Sequence, residues 1–116
     1  MGFELCKISQ GKILIAFSDK NLSVGAMEIN PKQELSKHNR PCLESLFQLR
    51  GSCVMKLFHA DGTAKEVTLH EGDSLDIPAG TFHVHSNPFG ETSLTIWKAS
   101  GDITEILDHI RKNSKM

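Results

Sequence analysis

GDSLDIPAGTFHVHSN, residues Gly72 to Asn87, spaces out as G-x(5)-P-x-G-x(2)-H-x(3)-N. Its middle, Pro78-Ala79-Gly80, is a turn. Proline sets φ for the first corner and glycine accepts the positive φ that closes it. The turn aims a following extended run, Phe82 to Ser86, with His83 near its start. Upstream, His38, Arg40, Glu44 and Gly51 fall in the spacing H-x-R-x(3)-E-x(6)-G. Histidine and glutamate bear metal ligands and acid-base groups, so the two segments together hold the candidate chemistry of the chain.

The Gly72–Asn87 spacing is that of the second sequence motif of the cupins. The upstream segment resembles their first motif, H-x-H-x(3,4)-E-x(6)-G, with Arg40 standing where a second metal-binding histidine is expected. The resemblance covers about half of the chain, roughly Leu35 to Trp97. It implies an all-β double-stranded β-helix, the jelly-roll cupin barrel, and roles for His38, Glu44 and His83 as metal ligands. It also implies a homodimer, with an N-terminal strand exchanged or packed at the interface; the apolar run Ile13, Leu14 and Ile15 is the candidate strand.

The rest of the chain agrees with a barrel. Lys12 to Phe17, Leu22 to Ile29, Glu44 to Leu49, Cys53 to Ala60, Ala64 to Leu69, Asp73 to Ile77, Phe82 to Ser86 and Thr92 to Lys98 are rich in β-branched, aromatic or alternating apolar residues. Turn residues divide them, among them Gly11, Asn30-Pro31, Gly51, Asp61-Gly62 and Asn87-Pro88. Asp61-Gly62 reads as a two-residue type I′ hairpin. After Gly101 the period changes, and Ile103, Ile106, Leu107 and Ile110 mark one stripe of a helix. Asp102 is its expected N-cap, paired with Glu105, while Arg111, Lys112 and Lys115 complement the dipole at the other end. The stripe is expected to pack on the outside of the barrel. The expected organisation is a single domain over residues 1–116, with the barrel at about 12–98 and the helix at about 102–113.

Composition narrows the function classes. Thirteen basic residues face fourteen acidic ones, and no run of Lys or Arg suggests nucleic acid or an anionic membrane. No stretch approaches the ~20 apolar residues of a membrane helix, and the N-terminal run reads as no leader, so a cytoplasmic protein is expected. Three cysteines without a C-x-x-C spacing, Cys6, Cys42 and Cys53, read as free thiols. There is no G-x-S-x-G, Walker loop or H-E-x-x-H.

In extended backbone His38 and Arg40 point to one side of a sheet, and so do His83 and His85. A carboxylate such as Glu44 inside a barrel is costly without a cation or strong donors. Three arrangements satisfy it. A divalent Fe, Mn, Zn or Ni ion on His38, Glu44 and His83 would form a facial triad. Alternatively, Arg40 pairs with Glu44 in a metal-free pocket. In the third, the metal stays and Arg40 turns to a substrate carboxylate or phosphate. His85 lies about 6.6 Å beyond His83 along an ideal strand, which suits a base or substrate contact beside the metal. His59, His70 and His109 read as structural or surface residues, and Asn87 as a turn residue. Two functions fit: a metal-dependent oxygenase, isomerase or lyase acting on a small anionic or sugar-like molecule held near Arg40 and His85, or a non-catalytic small-ligand sensor.

Overall fold

In the computed structural model, which describes residues 3–114, the apolar residues of the alternating segments fall on one face and build a jelly-roll sandwich. The first sheet is antiparallel, in the order β1 (Glu4–Ile8), β2 (Gly11–Ser18), β3 (Ser23–Ile29), β10 (Ser93–Ala99), β5 (Glu44–Arg50), β8 (Ser74–Ile77). The second runs β4 (Gln33–Glu34), β9 (His83–Asn87), β6 (Cys53–Phe58), β7 (Ala64–Leu69). All eight expected strands are present. Two more, β1 and β4, carry too little apolar pattern to be read from sequence. In β1 only Cys6 is buried, and β4 is two residues long.

Ile13, Ile15, Met27, Ile29, Leu46, Met55, Leu69, Ile77 and Trp97 meet between the sheets, each at most 7% exposed. Every such side chain contributes roughly 1.5–3 kcal/mol of transfer free energy. Trp97 is paired across the ladder with Gly25. A Cβ there would sit 2.5 Å from Cζ2 of the indole and 1.9 Å from the Leu14 carbonyl oxygen, so the ring lies over a position that only glycine fills. Ile13 and Ile15 belong to this core and β2 is covered on both edges, by β1 and β3. The strand available at the sheet edge is therefore β1 and not the Ile13–Ile15 run.

Two local expectations are corrected. The Asp61-Gly62 hairpin is not type I′, since Asp61 keeps negative φ and only Gly62 is positive, at 88°. The Gly62 amide donates to the His59 carbonyl and the His59 amide to that of Thr63, making a longer loop in which Asp61 accepts from Thr63. The helix α1 (Thr104–Asn113) has Ile103 at its N-cap without a side-chain cap bond, and Asp102 instead accepts from the Thr104 amide and hydroxyl. Its stripe of Ile103, Ile106, Leu107 and Ile110 lines a cavity together with Met27 and Trp97 of the barrel. Arg111 fastens it to β1 through a two-pronged pair with Glu4, at 2.7 and 2.9 Å. Lys115 lies outside the described residues. No helix among them is long and apolar enough to cross a membrane.

Candidate metal centre

Both sheets contribute to one polar cluster. Glu44 opens β5, where it is paired with Ile77 and Ala99 of the first sheet. His83 and His85 point inward from β9 of the second sheet. His38 follows β4 and forms an isolated bridge to His83, each amide donating to the other's carbonyl at 3.0 and 2.8 Å. One potential ligand atom from each of His38, Glu44, His83 and His85 lies within 4.8 Å of all the others. Glu44, His83 and His85 are at most 6% exposed, and His38 is half-buried.

The tautomers follow from backbone acceptors. His83 Nδ1 lies 2.9 Å from the Thr81 carbonyl, and His38 Nδ1 lies 2.9 Å from that of Ser36. A carbonyl only accepts, so both Nδ1 atoms carry the proton. In the neutral ring this leaves Nε2 as a bare lone pair. Burial, followed by the charge of Arg40, lowers the His38 pKa to about 4, so that ring is neutral at physiological pH. Burial likewise brings His85 to about 3. For Glu44, burial pushes upward but is outweighed by the His83 contact and by neighbouring positive charge, which leaves the carboxyl below its usual range and ionised.

With the rings neutral, lone pairs face the carboxylate. His83 Nε2 is 3.2 Å from Glu44 Oε1 and His85 Nε2 is 3.8 Å from the same oxygen. Yet His38 Nε2, His83 Nε2 and Glu44 Oε1 are all buried without a hydrogen-bond partner. Such a cluster is unfavourable unless a cation accepts the lone pairs. The donor set fits a divalent transition ion: neutral imidazole nitrogens and a carboxylate oxygen, with each Nδ1–H anchored on a carbonyl in the manner of metal-bound histidines.

Arg40 does not neutralise Glu44 directly. Among the described residues the ion-pair contacts of Glu44 are with His83 and His85, and the guanidinium of Arg40 donates to the Asn39 carbonyl at 3.3 Å. The half-buried Arg40 borders a cavity of about 630 Å³ together with His38, Glu44 and His85. Met27 and Trp97 line its barrel side and the α1 stripe the other.

His85, read from the sequence as a base or substrate contact beside the metal, is 3% exposed and faces Glu44. The strand repeat sets where two side chains begin, and the imidazole arms of His83 and His85 converge without a bulge in β9. The cavity wall supplied by α1, including the exposed His109, was missed. Its apolar period was visible but not what it faced. His59 and His70 stay outside the cluster. Asn87 does hold its loop, donating to the Ile29 and Glu91 carbonyls and accepting from the Phe89 amide.

No protein-family model and no curated protein matches the chain. Among solved structures it is similar to oxalate decarboxylase of Bacillus subtilis, with a TM-score of 0.77 and 23% identity over 85% of this chain and 28% of that one. The same figures hold for structures of that enzyme concerned with its Mn(II) centres and with its substrate binding mode. The chain thus spans under a third of the length of the enzyme it superposes on.

Proposed function

We propose that this chain, which has the cupin fold, binds a divalent transition metal through His38, Glu44 and His83 and admits a small anionic or sugar-like molecule beside it. The observation that supports the reading is the set of buried, unpartnered lone pairs on those three residues. The Mn(II) centres of the structurally similar decarboxylase make Mn one of the candidate ions, with Fe, Zn and Ni. The ion would serve as a Lewis acid, polarising an oxygen of the bound molecule. The protein's own residues do the rest. Thr81 and Ser36 carbonyls hold two imidazoles in one tautomer, the ionised Glu44 supplies negative charge, and Arg40 offers a guanidinium free of any carboxylate to an incoming anion. Met27, Trp97 and the α1 stripe give the cavity an apolar wall. An oxygenase, isomerase or lyase reaction fits such a site.

Metal analysis of protein purified without chelator tests the reading, followed by calorimetric titration of Ni(II) or Zn(II) into wild type and His83→Ala. Near-stoichiometric metal, abolished by the substitution, is expected. Persistent absence of metal after supplementation would overturn it.

The reading extends to a homodimer and a reducing compartment such as the cytoplasm. The three thiols are free, which suits the latter. For the former, ladder registers align Leu5, Leu14, Ala26, Ile96 and Phe47 in one row across five strands, on the face turned away from the core. Leu5 and Phe47 at its two ends are 38% and 40% exposed. A second copy of the same sheet face would cover the row.

A further inference from the structure

We infer that His85 is a fourth metal ligand, which supplies from β9 the imidazole that position 40 lacks; the inference rests on the metal-binding reading above. His85 is 3% exposed, and no hydrogen bond to its ring is found among the described residues. A buried imidazole turned toward a buried carboxylate and two further histidines needs an explanation, and a shared cation supplies one. Its Nε2 faces Glu44 Oε1 at 3.8 Å, and its ring centre is 5.1 Å from that of His83 and 5.3 Å from that of His38. Donor atoms sharing one ion with bonds of about 2.1 Å lie roughly 3.0–4.2 Å apart. The observed spread of up to 4.8 Å is closed by small side-chain rotations.

The register explains why such a replacement is compatible with arginine at position 40. His38 and His83 form an antiparallel bridge, and the Leu35 amide donates to the His85 carbonyl. Moving from 83 to 85 along β9 therefore leads toward residue 36, away from residue 40. His85 enters on one side of the His38–His83 pair and Arg40 departs on the other. The three-nitrogen, one-oxygen donor set of the cupin motif is recovered without using position 40, and the guanidinium stays out of the coordination sphere.

The test uses Cu(II)-loaded protein, whose nitrogen hyperfine pattern reports the number of bound imidazoles, and Ni(II) titration. Wild type is expected to show three coupled nitrogens. His85→Gln, which keeps a polar side chain of similar reach, should show two and bind Ni(II) at least about tenfold more weakly. Thermal unfolding of the metal-free variants verifies that both are folded, and His85→Ala provides a second variant. If His85→Gln keeps the wild-type pattern and affinity while His83→Ala loses the metal, His85 is no ligand and the proposed function stands. A wild type with only two coupled nitrogens sinks this inference alone. A wild type that binds neither ion overturns both.

Discussion

Arg40 carries the proposal that the cavity takes an anion. Its guanidinium has a weak backbone acceptor and, among the described residues, no carboxylate partner, in a cavity that also holds the lone-pair cluster. Charge-assisted bonds to a guanidinium are worth about 1.5–3 kcal/mol. Arg40→Ala should therefore weaken binding of a small carboxylate such as oxalate by about tenfold or more. Trp97 is the single tryptophan and borders the cavity, so its fluorescence can follow the titration. An unchanged dissociation constant would remove Arg40 from the ligand site. The histidines give a second expectation, for the metal-free protein. His38 at about 4 and His85 at about 3 sit below the unfolded value of about 6.5. Between those values the unfolded chain binds more protons, so stability rises with pH and is lost as pH falls from about 6.5 toward 4. Glu44, also depressed, adds to the loss at the acid end. Melting temperatures of apo-protein at pH 7.5, 6, 5 and 4.5 should fall progressively, and a flat series would contradict the burial of neutral imidazoles.

At the scale of elements, the eight strands and the helix were legible because their periods are strong, whereas β1 and β4 depend on neighbours for their pairing. Two sites test the packing. Gly25 on β3 lies under Trp97 of β10, and a methyl there meets backbone as well as the indole. Gly25→Ala should destabilise by on the order of 3 kcal/mol in urea unfolding. Gln48 on β5 is fully buried, accepting from Thr95 at 2.6 Å and Cys53 at 3.3 Å while donating to Ser93 and the Arg50 carbonyl. Gln48→Leu strands those partners and should cost about 2–3 kcal/mol. A cost below about 1 kcal/mol for either would mean the sheet relaxes around it.

For the whole molecule, the outer face of the first sheet carries a continuous apolar row. The Leu5-Leu14-Ala26-Ile96-Phe47 row joins strands that are distant in sequence, and Phe17 adds to the same sheet at 42% exposure. Sedimentation at micromolar concentration should give a dimer. Phe47→Glu, which places a charge at the end of the row, should shift it to monomer while leaving Ni(II) affinity unchanged. A monomeric wild type would refute the pairing.

From the sequence alone the strands, turns and C-terminal helix were legible, because spacing of turn formers and alternation of side chains are local properties of a chain, while the jelly roll and the grouping of His38, Glu44 and His83 came from the motif resemblance. The sequence left three arrangements open for Glu44. Only the tertiary structure shows its contacts, which are with His83 and His85. Whether Arg40 reaches Glu44, and whether His85 does, depends on how β5 of one sheet faces β9 of the other. The same holds for the cavity, whose apolar wall arrives with α1 from the far end of the chain. These are distances between segments that no local pattern encodes, set by the packing of two sheets around one core.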